Sequence, residues 1–253
     1  MRWNWQNPHW PQFAYNPTDF SQLEIEFREN AGYLMGVMRH LSQKDLKNVS
    51  LQSLSNEAMD TSEIEGEFLD RASVQTSLQR HLGISPKTEV GPPPEEGVSH
   101  LMGDLISWPT RPLDEKRLFE WHGWLMAGRK DLRDIGRYRT SLDPMQVVSG
   151  SLSRPKVHFE APPAPTLTAE MPRFWEWLKT SAQVTTQILV RASVAHLYFV
   201  CLHPFEDGNG RLGRALSYHC LLDSLGQPIP LLLSSTILEK RKDYYTEIGR
   251  AHV

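Results

Sequence analysis

Twelve consecutive residues, His203-Pro204-Phe205-Glu206-Asp207-Gly208-Asn209-Gly210-Arg211-Leu212-Gly213-Arg214, bring together the groups that phosphate chemistry needs. Pro204 disfavours helical geometry at the residue before it, so the preceding helix ends at His203 and leaves the imidazole at a helix-loop junction as a candidate base. Gly208 and Gly210 permit backbone angles that turn successive N–H groups toward one point, and the helix that follows adds its own unpaired donors and positive dipole end. Such a cradle binds anions. Arg211 and Arg214, three apart on that helix, can reach further phosphates from one face, which implies a polyphosphate. Asp207, directly before the glycines, is a hard oxygen ligand suited to Mg²⁺ bridging those phosphates. A transition-metal reading built on His196, His203, Asp207 and His219 lacks the tight ligand spacing of a zinc site, so His196 is expected to be a core histidine that supports the loop.

The elements that must position these groups are helical nearly throughout. Apolar periodicity predicts helices over 185–202 and 211–225 on either side of the loop, and over 95–108, 114–127, 171–181 and from 237 onward. Upstream, a helix is expected from Thr18, read as its N-cap, with Phe20, Leu23, Phe27, Leu34, Val37, Met38 and Leu41 forming one buried stripe. Leu51, Leu54, Ala58 and Met59 continue the helical period to a stop at Gly66, and a further helix covers 70–83. Only Gln146-Val147-Val148 and Lys156-Val157-His158-Phe159, around a Ser/Gly/Arg/Pro turn, read as β-strands of a hairpin. The fold class is therefore all-α with one β-hairpin. The Trp-rich opening, with Trp3 and Trp5 alternating, is expected to be a short extended arm pinned to the body by its aromatic rings. Three prolines at 92–94 within the 86–97 run mark a boundary, giving an N-terminal helical domain over 1–90 and a catalytic domain over 91–253. The chain stops directly after an amphipathic stretch without a cap, as a domain truncated at its C-terminus would.

Composition sets limits on what the site can serve. A 253-residue chain with 40% apolar residues can bury an ordinary core. A net charge of −3, from 27 Lys+Arg against 30 Asp+Glu, offers no global field for nucleic acid or an anionic membrane. The longest apolar stretch, 188–202, is short and interrupted by Arg191 and His196, and the N-terminus lacks the apolar region of a signal peptide. Cys201 and Cys220 sit in apolar runs and read as buried thiols, so a cytoplasmic protein is expected.

Residues 203–214 resemble the Fic motif, H-P-F-x-[D/E]-G-N-G-R-x-x-R, at every specified position, and the Asp134-Ile135-Gly136-Arg137-Tyr138-Arg139 run, the hairpin and Ala195-His196-Leu197 extend the likeness over most of 95–245. The resemblance implies a mainly helical fold and a protein adenylyltransferase that moves AMP from Mg²⁺-bound ATP to a Ser, Thr or Tyr hydroxyl. It implies His203 as base, Asp207 as the Mg²⁺ ligand, and Gly208, Asn209, Gly210, Arg211, Leu212, Gly213 and Arg214 as the ATP and phosphate site. Lys156, Val157 and His158 would dock a protein target, this chain itself included, as an added strand. Tyr244 and Tyr245 would lie near the adenine. Thr61-Ser62-Glu63-Ile64-Glu65-Gly66 is similar to the family's inhibitory pattern [S/T]-x-x-x-E-[G/N], which implies that Glu65 pairs with Arg214 and blocks productive ATP binding. The alternatives are a non-catalytic nucleotide-binding module, and a hydrolase that removes AMP at the same site. Pairing of two chains as a homodimer is left open.

Overall fold

The computed structural model describes residues 3–85, 90–107, 111–149, 156–184 and 187–251. The turn expected between the strands (150–155), Trp108, Thr185, positions 86–89 of the proline-rich run and the final two residues lie outside them.

Two helices carry the site: α7 (Ile188–Leu202) and α8 (Asn209–Leu225) pack against each other more extensively than any other helix pair among the described residues. α8 is buried nearly all round, from Arg211 to Leu222, as befits a helix at the centre of a bundle. Around it pack α4 (Pro93–Ile106), α5 (Glu115–Leu125) and α6 (Leu167–Val184), which add Leu101, Leu105, Trp121, Phe174 and Leu178 to a core shared with Tyr198, Phe199 and Leu216. At Gly97 the backbone of α4 meets the Trp124 carbonyl of α5 so closely that a Cβ has no room. Asp114 caps α5 by accepting from the Arg117 amide, the start signal expected there.

The N-terminal elements join the same core. α2 (Gln43–Ile64) starts at Ser42, whose hydroxyl accepts from the Asp45 amide, and adds Leu51, Leu54 and Ala58. It stops where Glu67 N–H returns to the Ser62 carbonyl (3.0 Å) around Gly66 at φ 83°, a left-handed turn that glycine adopts without strain. α3 (Arg71–His81) follows, capped by Asp70. α2 also holds α9 (Leu233–Glu239): the buried Glu57 carboxylate accepts from the Ser234 amide at 2.9 Å and from its hydroxyl at 2.6 Å. The last element is α10 (Arg241–Ala251). No helix among the described residues is long and apolar enough to cross a membrane.

Three expectations are corrected. α1 (Ser21–Met38) begins after a 3-10 turn, Pro17–Phe20, capped by Asn16 rather than Thr18. Its apolar stripe is only partly buried: Phe27, Leu34 and Met38 pack against the core, whereas Leu23 is 54% and Val37 43% exposed. A polar contact fastens α1 as well, because Glu24 accepts from the amides of Ile188, Leu189 and Val190 (2.9, 2.7 and 3.2 Å) and caps α7 from outside. The opening arm is a 3-10 turn, Asn4–Gln6, and not extended, since the Gln6 side chain accepts from Trp3 N–H (2.9 Å) and closes the turn. Its rings do lie on the body: Trp3 stands edge-on to Phe159 and Trp10 to Tyr198, while Trp5 Nε1 donates to the Glu160 carbonyl at 2.6 Å.

β1 (Gln146–Ser149) and β2 (Lys156–Glu160) form the antiparallel pair, with an irregularity between Val147 and Val148.

Candidate active site

α7 ends at His203 in a left-handed conformation, φ 48° and ψ 56°, a geometry that costs an L-residue about 1–2 kcal/mol. Its Nδ1 lies 3.2 Å from the Val200 carbonyl, which assigns the ring proton to Nδ1 and leaves Nε2 as the basic nitrogen. Burial pushes the imidazole down to about 4; the Val200 contact opposes this, the Arg139 charge adds to it, and Glu65 and Asp207 oppose it. His203 taken as a whole residue is half-buried. At neutral pH it is unprotonated, the state a general base requires.

The loop after His203 is closed by Asn209, whose side chain accepts from Phe205 N–H (3.0 Å) and donates to Phe205 C=O (2.9 Å). Phe205 in turn stacks on His122 at 4.0 Å, and His122 accepts from the Gly136 amide. Gly208 takes φ 80° as the N-cap of α8 and packs against Met126 where a Cβ would stand. The first ladder bond of α8 runs from Leu212 N–H to Gly208 C=O, so the amides of Asn209, Gly210 and Arg211 have no intrahelical acceptor. Those three amides stand where the anion cradle was expected.

The cradle already faces an anion. A Cβ on Gly210 would collide with the Glu65 carboxylate, which reaches over from the C-terminal cap of α2. The same carboxylate accepts from Arg214 Nη2 at 2.8 Å. Arg214 is held from behind by Thr61, its Nε donating to the hydroxyl (2.7 Å) and Nη2 to the carbonyl (2.8 Å), while its buried Nη1 has no partner among the described residues. Two residues beyond Glu65, Glu67 pairs with Arg211. Asp207 meets Arg129 Nη1 at 2.7 Å, and Arg129 is itself gripped by Asp131 through two bonds of 2.8 and 2.7 Å. Burial would raise the Asp207 carboxyl, but the Arg129 bond, the Gly208 amide and the Arg211 charge outweigh it and hold it below the usual carboxylate range. Each charged group expected to serve a metal or phosphate is thus matched by a charge of the chain itself.

Residues 112–221 match the Fic/DOC family, and residues 3–84 match a domain of unknown function, DUF4172. Residues 112–221 thus carry the likeness to a Fic domain. Among its relatives is the protein adenylyltransferase fic-1 of Caenorhabditis elegans, 32% identical over 63% of this chain and 28% of the relative. Another is the protein adenylyltransferase Fic of Drosophila melanogaster, 35% identical over 46% of this chain and 23% of the relative. The chain therefore spans about a quarter of the length of these curated relatives. In fold it is similar to a Fic family protein from Desulfovibrio desulfuricans G20, with a TM-score of 0.66 and 22% identity, covering 96% of this chain and 69% of that one.

Within the Fic motif, the structure brings His203, Asp207, Gly208, Gly210, Arg211 and Arg214 around one cradle with Glu65. Three other motif residues act elsewhere. Asn209 contributes its amide while its side chain closes the loop. Leu212 is fully buried in the core, and Gly213 lies against His196 and Val200 of α7, because both face inward from a helix packed on all sides. His196 Nε2 lies 2.8 Å from the Tyr244 hydroxyl, and no group of three His, Cys, Asp or Glu side chains that could hold a metal ion occurs among the described residues. Tyr244 rests on Tyr245, whose hydroxyl donates to the Ile64 carbonyl, so both stand beside the end of α2. Lys156, Val157 and His158 lie on β2, whose backbone pairs with β1. Glu67, Arg129 and His122 had no motif to betray them, and Arg139 stood in the 134–139 run without a role assigned to it. Only for Glu67 was there a faint signal, an acid at i+2 from Glu65 beyond a helix-stopping glycine.

Proposed function

We propose that this chain is a Fic domain protein that transfers AMP from ATP to a Ser, Thr or Tyr hydroxyl of a protein, and that Glu65 restrains the reaction. The observation that carries the reading is the Glu65 carboxylate lodged over the Gly210 cradle and bonded to Arg214. A pocket in which a guanidinium holds a carboxylate beside amides left free at a helix N-terminus has the chemistry to take a phosphate. The names of its adenylyltransferase relatives support the same reaction.

On this reading His203 Nε2 accepts the proton of the target hydroxyl as that oxygen attacks the α-phosphorus; the bond from the α-phosphorus to the bridging oxygen breaks, and diphosphate leaves. The cradle amides stabilise charge on the α-phosphate oxygens as it builds. Arg211 and Arg214 grip the distal phosphates once Glu67 and Glu65 withdraw. Asp207, an ionised and partly exposed carboxylate beside the cradle, fits a Mg²⁺ ion that would be shared with the phosphates, and that ion would neutralise charge on them. Arg129 must then release it. The strand run Lys156, Val157 and His158 would dock the target backbone, and Tyr244 and Tyr245 would border the adenine once α10 loosens from α2. The segment 1–90 acts as the regulatory part and 91–253 as the catalytic part.

The test is label position. With ATP labelled on either the α- or the γ-phosphate, the Glu65→Gly chain should transfer only the α label to protein, and adding His203→Ala should abolish it. Transfer of the γ label, or equal α transfer with alanine at 203, would overturn the proposal.

A further inference from the structure

Among the described residues, Arg139 is the cation of this site that pairs with no carboxylate. Arg129, Arg211 and Arg214 each pair with an acid, whereas the bonds of Arg139 among the described residues all run to carbonyls. Its Nε donates to the His203 carbonyl at 2.8 Å, and its Nη2 to the Pro162 carbonyl at 2.6 Å and the Leu202 carbonyl at 3.5 Å. Its own amide donates to the Pro204 carbonyl at 2.9 Å. The residue is 3% exposed. A buried charge without a counter-ion is unfavourable unless its hydrogen bonds return the loss, so the contacts it makes show what it is for.

We infer that Arg139 is the positioning residue of the base: it holds His203 in its left-handed turn at the end of α7 and ties that turn to the root of the hairpin. The inference rests on the proposed role of His203. The left-handed conformation is unfavourable for a histidine and persists only where its surroundings over-determine it. Arg139 supplies that constraint from three sides, fastening the carbonyls of residues 202, 203 and 204, while its charge suits the negative end of α7. It is itself rigidly presented. Tyr138 packs between Phe119 and Phe205 and accepts from Trp175 Nε1 at 3.2 Å, and Thr140 on the other side donates its amide (2.7 Å) and hydroxyl (2.8 Å) to the buried Asp134. Pro162 lies two residues past β2, so a change in the hairpin on target docking reaches the base through one side chain. The charged groups that face the imidazole are Arg139, Glu65 and Asp207, of which Arg139 alone disfavours the imidazolium.

Two variants in the Glu65→Gly background separate charge from geometry. Arg139→Met removes both; Arg139→Lys keeps the charge but presents its donors at one point and cannot span the His203 and Pro162 carbonyls. AMP transfer should fall about 100-fold in both, the loss expected of a displaced reacting group, while ATP affinity by calorimetry stays at the parental value because the cradle lies on α8. The His203 ring, followed by NMR, should titrate higher than the parent in Arg139→Met and near the parental value in Arg139→Lys. A folded Arg139→Met chain with parental transfer rate or an unmoved His203 titration overturns the inference. If melting shows that variant unfolded, Arg139→Lys decides, and a parental rate there overturns it. Should no chain transfer AMP at all, the proposed function fails, yet the titration and the chemical shifts of the 202–204 turn still judge the role of Arg139.

Discussion

Replacing Glu65 by glycine removes the carboxylate from the cradle without dismantling what surrounds it. Arg214, 2% exposed at its side chain, keeps both bonds to Thr61, so its guanidinium stays aimed at the nucleotide position. What disappears is one charge-assisted bond of 2.8 Å between a buried cation and a carboxylate whose side chain is 33% exposed. Hydrogen bonds to charged groups are worth about 1.5–3 kcal/mol. ATP no longer has to displace that bond, so its affinity in the productive pose should rise about 10- to 150-fold. Calorimetry with Mg²⁺ and a non-transferable ATP analogue measures this directly. The nucleotide-free variant should also melt lower than the parent, since Arg214 loses its counter-ion, and should gain more from added nucleotide. An affinity equal to the parent's, with the variant folded, would refute the claim that Glu65 and a phosphate compete for one cradle.

Glu67→Gln should release Arg211 but raise affinity by less, up to about fivefold, because Glu67 is partly solvated and such pairs are worth at most about 1 kcal/mol; the same calorimetry checks it, and it should add to Glu65→Gly. Gly210→Ala places a methyl group where the Glu65 carboxylate stands, so ATP binding should weaken whether residue 65 is Glu or Gly, as read by analogue titration of both. Glu57 concerns stability: burial raises its carboxyl from 4.5 to about 7 despite the Ser234 bonds. The folded state therefore holds the proton more tightly than the unfolded chain, so stability is greatest below pH 4.5 and falls by about 3 kcal/mol as pH rises to 7. Urea unfolding of Glu57→Gln should show that loss flattened, with the variant more stable than the parent at pH 8 and level with it at pH 4.

The cradle was legible because its causes are local. Pro204 ends a helix, Gly208 needs a positive φ, and Arg211 and Arg214 share a face by helical geometry, all within twelve residues of sequence. The helical class and the hairpin were legible for the same reason, each being a run of residues with its own period. What escaped notice acts across the chain. Arg139 lies 64 residues from the carbonyl it holds, and Glu67 lies 144 from its arginine. Glu24 was hidden differently, as an acid on a helix whose apolar residues suggested burial, while its true role was to cap another helix 164 residues away. The motif pattern also could not separate the two uses of Asn209, whose amide belongs to the cradle and whose side chain belongs to the loop.

The most direct test is a crystal structure of the Glu65→Gly chain with Mg²⁺ and a non-transferable ATP analogue. The α-phosphate should rest on the amides of residues 209–211, with Arg211 and Arg214 on the distal phosphates and His203 Nε2 on the open side of the α-phosphorus. A triphosphate bound elsewhere, or one with its γ-phosphate in the cradle and the α-phosphate out of reach of His203, would contradict the account.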